Sequence, residues 1–191
     1  INFFAVQVQL WQIDDSKPAY NFKPVVFPNE WQKSKRSQAV RSVSTKGEAY
    51  RQYYQPLIDD LREKHKFTGA RVAQPQNWYA FSSGVSGIQI SAVFAGNDTA
   101  RVELSIDLRD FEANKALFDW LLGQKDTIEK QCGFPLQWER LDERRASRIT
   151  VNRGGSIENS AEELEQIRRW QIERLLIFKK VFGPLVRHGG C

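Results

Sequence analysis

The sequence predicts an α+β fold, in which helices pack on a mainly antiparallel sheet in the order α-β-β-β-α-β-β-α after a short β segment. Three observations lead to this prediction. Alternating apolar and polar residues, typical of half-buried strands, come in runs of three and then two segments. Apolar residues spaced three or four apart, typical of helices, precede, separate and follow these runs. Strands that are grouped in this way favour an antiparallel sheet over a parallel one.

The first 31 residues are predicted to form a β-rich segment. Residues 2–13 alternate and are rich in Phe, Val and Trp, and residues 25–27 predict a second short strand after a turn. Residues 32–46 are predicted to be a basic linker, because they contain no acidic side chain. The C-terminal α+β domain is then predicted to span residues 47–188. The basic residues singled out in the linker are Lys33, Lys35 and Arg36.

The first helix of the C-terminal domain is predicted to open at Thr45, because Glu48 follows at the capping-box spacing. A second helix is predicted over residues 111–131. A third is predicted from Ser160, which has Glu163 at the same capping-box spacing. Two prolines are expected to disturb these helices: Pro56, which should kink or divide the first, and Pro184, which should stop the third.

Five strands are predicted for the sheet. Short connections between the first three predict an antiparallel meander. On the third strand, Leu104 and Ile106 are predicted to be buried and Glu103 to be exposed, because successive side chains of a strand point to opposite faces. The five strands are predicted over residues 78–82, 88–94, 101–108, 136–141 and 148–152.

Composition limits the classes of function. With 191 residues, 41% of them hydrophobic, the chain can bury a core without disulfides or metal ions. Two cysteines and two histidines are too few for a disulfide framework or a zinc site, so no cofactor is predicted and a reducing cytoplasm is expected. No apolar run is long enough to span a bilayer. The absence of methionine, even at position 1, favours a fragment of a longer protein.

No catalytic motif is recognisable, and two sets of residues are the nearest candidates. Glu103 and Asp107, four residues apart on the polar face of the third strand, could bind a divalent metal ion in a divergent nuclease. The alternation of a half-exposed strand is the simpler explanation of both. Cys132 with His65 would be a nucleophile pair, although a lone cysteine at a helix end is typical of inert packing.

Basic and small residues suggest contacts with phosphate groups. The net charge of +5 favours an acidic partner such as nucleic acid. Ser82, Ser83 and Gly84 could bring backbone N–H groups close to a phosphate, although a hairpin loop also uses such residues. Arginine is suited to bidentate phosphate contacts, but interleaved acidic residues are equally typical of a solvated, salt-bridged surface. The arginines of this cluster are Arg140, Arg144, Arg145, Arg148 and Arg153.

Several short motifs resemble the bacterial family called domain of unknown function 4268. They are YAFSSG at residues 79–84, GI at 87–88, VELSI at 102–106, GFPLQWE at 133–139 and the ending of residues 170–184. The first 31 residues resemble the end of a restriction-endonuclease-like nuclease domain of the PD-(D/E)XK type, through FFAV, LW, DSKPA and PNEW. The resemblance implies that the metal-binding carboxylates and lysine of such a nuclease lie upstream of this tail.

The resemblance and the arginines together predict a nucleic-acid-binding or nuclease-positioning accessory domain of a bacterial restriction- or defence-type nuclease protein. The expected partner is nucleic acid, DNA before RNA, without a membrane and with homodimer formation left open. One alternative is a divergent metal-dependent nuclease that uses Glu103 and Asp107. The other is a protein-interaction domain that does not contact nucleic acid. The resemblance implies no catalytic residues, because the activity of the family is not established.

Overall fold

The chain divides into two compact units, Ile1–Ser44 and Thr45–Cys191. The computed structural model describes residues 5–11, 19–26 and 45–188. In the first unit, strands β1 (Ala5–Trp11) and β2 (Ala19–Val26) pair antiparallel. The turn predicted between them and nearly all of the predicted linker lie outside the described residues.

The second unit contains a five-stranded antiparallel sheet, with the strands in the order β3-β4-β5-β7-β6. The first three strands form the predicted meander, and β7 returns to pair with β5, which leaves β6 at the edge. This sheet confirms the α+β fold. The strands are β3 (Trp78–Ser82), β4 (Ile88–Ala95), β5 (Thr99–Ile106), β6 (Gln137–Glu139) and β7 (Ser147–Gly154).

Strand β5 lies in the middle of the sheet, and its side chains alternate between the apolar and the polar face of the sheet. Leu104 and Ile106 are fully buried, as predicted. Glu103 is half-buried rather than exposed, and its carboxylate lies 3.4 Å from the Arg101 guanidinium. The reason is that β4 and β7 flank β5 on both sides, so that neighbouring side chains cover part of its polar face.

Helices cover the apolar face of the sheet. Tyr54 of the first helix donates a hydrogen bond from its hydroxyl to the carbonyl of Ala92 in β4 (3.1 Å). Tyr53 donates to the side-chain oxygen of the buried Gln171 in the last helix (2.8 Å), which ties the two helices together. Within the described residues, no helix combines the length and apolar character needed to cross a bilayer. The helices of the second unit are α1 (Thr45–Glu63), α2 (Phe111–Leu122), α3 (Lys125–Cys132) and α4 (Ala161–His188).

The helix boundaries differ from prediction at three places. The predicted second helix is two helices, α2 and α3, because Gly123 caps α2 and glycine is a poor helix former. Pro56 does not divide α1, and the prediction that Pro184 stops α4 is wrong. A proline removes one backbone hydrogen bond, but Leu57 and Val186 just beyond these prolines are fully buried and hold the helices to the core.

Helix α4 begins as predicted. The backbone N–H of Ser160 donates to the Glu163 carboxylate (3.0 Å), and the N–H of Glu163 donates to the Ser160 hydroxyl oxygen (3.3 Å). These reciprocal bonds confirm the capping box. At the start of α1, the Glu48 carboxylate accepts hydrogen bonds from the Arg51 guanidinium at 2.7 and 2.9 Å.

Candidate nucleic-acid interface

Most of the arginine cluster belongs to the connection between β6 and β7, residues 140–146, here called the arginine loop. Its backbone surrounds the side chain of Lys115 from α2, a residue that is only 2% exposed. Five oxygen atoms lie 2.6–3.2 Å from Lys115 Nζ and share its three N–H donors: the carbonyl oxygens of residues 140, 141, 144 and 146 and the Ser147 hydroxyl oxygen. All five partners are neutral, so the loop's own oxygen atoms replace the water that would hydrate this charge.

A neighbour on the same helix fixes the other side of the arginine loop. Asn114 is fully buried, and its side-chain N–H donates to the carbonyl of Arg145 (3.1 Å). Its side-chain oxygen accepts from the backbone N–H of Leu108, beyond the end of β5 (2.7 Å). Two successive residues of α2 therefore hold the loop and the end of β5 in one arrangement.

Three of the five arginines are paired with carboxylates. Arg140 makes a bidentate pair with Asp119 of α2 (2.8 and 3.0 Å), and it also contacts Asp142. Arg145 makes a bidentate pair with Asp107 (2.7 and 2.8 Å). These guanidinium groups hold the pKa values of Asp119 and Asp107 below their usual range, so both carboxylates stay ionised and offset the charge.

The third pair lies on the polar face of the sheet. Arg148 of β7 donates from Nε to the carboxylate of Glu139 on β6 at 2.7 Å, and the two residues are directly opposite each other in the strand register. Both side chains are half-buried, because the neighbouring strands of the sheet cover part of them. This pair ties the edge strand β6 to β7.

Arg144 differs from its neighbours. Its carbonyl oxygen binds Lys115, but its side chain is exposed. Among the described residues no carboxylate lies within ion-pair distance of its guanidinium. Arg144 is therefore the arginine of this loop whose charge is least compensated by the described part of the chain.

Arg153 lies away from the arginine loop, near the other end of β7. The strand rises about 3.3 Å per residue, which separates Ser147 from Arg153 by about 20 Å. Arg153 lies opposite the buried Ala100, whereas Arg148 lies opposite Ser105 on the polar face. The structure therefore does not bring the five predicted arginines together on one surface.

Ser82 is the last residue of β3, and Ser83 and Gly84 begin the hairpin connection to β4. The Ser83 side chain is buried, and its hydroxyl donates to the carbonyl of Ile88 (2.8 Å). The backbone N–H groups of Gly84 and Val85 donate to the hydroxyl oxygens of Ser82 and Ser83 at 3.1 and 3.2 Å. These bonds fit a hairpin loop, because they direct both N–H groups into the loop itself.

Gly87 closes the same connection. Its φ of +81° is in the left-handed region, and a Cβ atom there would lie 2.6 Å from the carbonyl oxygen of Asp107. The backbone N–H of Asp107 donates to the carbonyl of Gly87 (2.7 Å). Glycine is needed here for both conformation and space. Of the other predicted contacts, Lys33, Lys35 and Arg36 lie outside the described residues.

The residues considered for catalysis have structural partners. Asp107 is paired with Arg145 and Glu103 with Arg101. Over residues 45–188 and the two described strands before them, no group of three or more His, Cys, Asp or Glu side chains could hold a metal ion. Cys132 is buried, and burial raises the pKa of its thiol to about 11, so it remains protonated at neutral pH.

An open cleft of about 490 Å³ lies between β7 and α4 and is here called the Trp170 cleft. Trp170 and Arg174 line it from α4, and Phe134 lines it from the segment before β6. The Arg174 guanidinium lies 4.2 Å from the centre of the Phe134 ring, and the Arg153 guanidinium lies 5.7 Å from the centre of the Trp170 ring. Both distances are typical of cation–π contacts.

The comparison with protein families bears on residues 49–186, which match the model described as "Domain of unknown function (DUF4268)". The chain belongs to the DUF4268 family. The resemblance deduced from the motifs of the second unit is thus confirmed, whereas the nuclease-like character of residues 1–31 stays a prediction. No curated protein and no solved structure matches the chain.

Two features of this DUF4268 domain escaped the sequence analysis. Lys115 follows Phe111 by four residues and precedes the buried Phe118 by three, so the helical spacing placed it on the apolar face of α2. That signal was available, but lysine is rarely buried without an acidic partner. The Trp170 cleft had no comparable signal, because Phe134, Thr150 and Trp170 are far apart in the sequence and the fold alone brings them together.

Proposed function

We propose that this DUF4268 domain binds nucleic acid, DNA in the first place, as the accessory domain that positions the nuclease of a bacterial restriction- or defence-type protein. The observation that carries the proposal is the arginine loop. The buried Lys115 ammonium fixes the backbone of this loop through hydrogen bonds to its carbonyl oxygens. The side chain of Arg144 is exposed and has no carboxylate within ion-pair distance among the described residues. A loop that is already ordered loses little entropy when a phosphate binds, and this favours affinity.

The paired arginines of the loop have a different part in this proposal. The side chains of Arg140 and Arg145 are 40% and 55% exposed, so a phosphate can reach both guanidinium groups. Asp119 and Asp107 offset the charge of these two arginines. Arg140 and Arg145 are therefore suited to orienting a phosphate by hydrogen bonds rather than to attracting it from a distance. The long-range attraction then comes from Arg144 and from the overall net charge of +5.

Nuclease positioning rests on the resemblance of residues 1–31 to the end of a restriction-endonuclease-like domain. Family membership supports the identity of the second unit only. Under this proposal the domain supplies contacts to the backbone of the nucleic acid, and the cleavage chemistry belongs to the nuclease domain. Contacts to phosphate carry no sequence information, so the domain by itself selects nucleic acid but not a particular site.

The test is a titration of labelled duplex DNA with the full chain at two salt concentrations. We expect Arg144→Ala to weaken binding about three- to tenfold and to reduce the slope of log affinity against log salt by about one, as for the loss of one phosphate contact. Arg71→Ala is the matched control, because Arg71 is also exposed, lies between α1 and β3, and changes the net charge equally.

A triple change of Arg144, Arg145 and Arg148 to Ala should weaken binding further and about equally for all duplex sequences. Two outcomes would overturn the proposal: the parent chain binds no nucleic acid at low salt, or Arg144→Ala binds like the parent. The protein-interaction alternative would then be the better explanation of this domain.

A further inference from the structure

Strand β3 forms one edge of the sheet, and part of its backbone faces away from the sheet. The carbonyl of Asn77, just before β3, accepts a hydrogen bond from the N–H of Phe94 on β4 (2.7 Å). In an antiparallel pair, every second residue directs its backbone groups to the partner strand. The N–H and C=O groups of Trp78, Ala80 and Ser82 therefore point outward. Within the described part of the chain, no backbone group pairs with them on that side.

The outer edge of β3 lacks the features that keep edge strands from pairing with other chains. Such features are a very short strand, a bulge, a proline or a charged side chain. Strand β3 pairs with β4 over all five of its residues without a bulge, and it contains no proline. Residues 72–97 contain no charged side chain, although 27% of the chain is charged. The other edge strand, β6, has only three residues and carries Glu139. Strand β3 is thus the edge of this sheet that is suited to a further strand.

Exposed apolar side chains lie beside the same edge. Trp78 is 44% exposed on the polar face of the sheet, and Val72 is 62% exposed. Val72 is next to β3, because its carbonyl accepts a hydrogen bond from the Tyr79 hydroxyl (3.3 Å). Aromatic side chains are enriched and charged side chains are depleted in the centre of protein interfaces. The composition of this edge therefore resembles an interface more than a solvated strand.

A second copy of this chain fits the edge. Antiparallel pairing about a twofold axis at Ala80 places Ala80 opposite Ala80 and Trp78 opposite Ser82. In this register all three outward-facing residues meet their equivalents and form about six backbone hydrogen bonds, two for each pair. Tyr79 of one copy is then opposite Phe81 of the other, and such aromatic pairs stabilise strand pairing. Each chain carries a net charge of +5, but the uncharged edge places no like charges opposite each other.

We propose that this DUF4268 domain forms a homodimer in which the β3 strands of two copies pair antiparallel and join their two five-stranded sheets into one continuous sheet. The arginine loop adjoins the other edge strand, β6, so the dimer contact leaves it uncovered. The inference therefore does not rest on the binding of nucleic acid. If nucleic acid is bound, the dimer presents two arginine loops, which makes bivalent binding possible.

Sedimentation equilibrium of the full chain tests the dimer, and we expect the parent to have twice the mass of one chain. Ala80→Lys should raise the dissociation constant at least about tenfold, because two like charges then lie opposite each other at the twofold axis. Ala80→Glu should have the same effect. An equal mixture of the two variants should form dimers again, since unlike charges then face each other.

Gln89→Lys and Gln89→Glu are the matched controls. Gln89 is exposed on the same polar face and lies opposite Ser82 on β4, one strand away from the proposed contact. These variants carry the same added charges as the Ala80 variants. We expect both to form dimers like the parent, because their charges are not opposite each other across the twofold axis.

Amide hydrogen exchange of the parent needs no substitution, so it tests the contact even if the Ala80 variants do not fold. The amides of Tyr79 and Phe81 face β4 and should be protected at every concentration of the chain. The amides of Trp78, Ala80 and Ser82 should be protected in the dimer and exchange at least about tenfold faster after dilution to the monomer.

Three outcomes would overturn the proposal. The first is a parent that has the mass of one chain and rapid exchange at Ala80 at every concentration. The second is an Ala80→Lys dimer as stable as that of the parent, which would place the contact elsewhere. The third is a mixture of Ala80→Lys and Ala80→Glu that stays monomeric, which would exclude the twofold register. None of these measurements involves nucleic acid, so their outcome is independent of the proposed function.

Discussion

Lys115 shows at the scale of one residue how a buried charge can organise a loop. Five neutral oxygen atoms surround its ammonium group, and the residue is 2% exposed. Burial of a charge is unfavourable in itself, so the arrangement is stable only while these oxygen atoms are in place. The same contacts fix the arginine loop, which makes Lys115 a positioning residue for Arg144.

Replacement of Lys115 by methionine, which keeps the length of the side chain, is expected to lower the free energy of unfolding by about 3 kcal/mol, because buried carbonyl groups lose their donor. Urea denaturation measures this change. Lys125→Met is the control, since Lys125 is exposed at the start of α3 and its replacement should change stability by no more than about 0.5 kcal/mol. Equal stability of Lys115→Met and the parent would show that the ammonium does not hold the loop.

At the scale of elements, the start of α4 depends on a local pair of residues. Ser160→Ala removes the hydroxyl that accepts from the N–H of Glu163 and should cost about 1 kcal/mol of stability. Ser160→Asp should retain most of that stability, because aspartate caps helices as well as serine does. Thermal or urea unfolding of the two variants measures the difference. Similar losses in both would indicate that the side chain acts through something other than the cap.

The elements also show how far the sequence could predict this fold. All five strands of the second unit were predicted within about two residues of their observed ends, because alternation is a short-range signal. At Gly123 the local preference against helix prevails and α2 ends, whereas at Pro184 burial of the neighbouring residues outweighs that preference and α4 continues. Val186, buried beyond Pro184, is such a neighbour.

The candidate site was less predictable than the fold. The sequence predicts Arg144 only as one of five candidate arginines, because these residues are close together along the chain. It did not reveal that Arg153 lies at the far end of β7, nor that Asp119 of α2 pairs with Arg140. Both facts depend on the order of strands in the sheet and on the packing of α2, which local patterns do not contain.

At the scale of the whole molecule, several surface carboxylates have pKa values below their ordinary values of 3.8 for Asp and 4.5 for Glu, because of hydrogen bonds to neighbouring side chains. A group whose pKa is lowered by folding stabilises the fold fully above its unfolded pKa, and that contribution is lost as the pH falls through the folded value. The carboxylates concerned include Asp107, Asp119, Glu129 and Glu163.

The free energy of unfolding is therefore expected to fall as the pH drops below about 4.5, the region where the unfolded carboxylates begin to bind protons. Urea denaturation at a series of pH values measures this dependence. Trp138→Phe should make the fall shallower, because it removes the 2.9 Å hydrogen bond from the indole N–H that lowers the pKa of Glu129. A stability that stays constant from pH 5 to pH 3 would contradict these pKa directions.

The burial of Lys115 has a consequence for the order of folding. Its five oxygen partners follow it by 25 to 32 residues in the chain, so none of them is in place when α2 first forms. Until β7 pairs with β5, the ammonium is more stable in water than in the interior. We expect closure of the arginine loop to be a late step in folding, after β5 and β7 have paired. Contacts made after the transition state slow unfolding without speeding folding. We therefore expect the contacts around Lys115 to slow unfolding of the domain rather than to speed its folding.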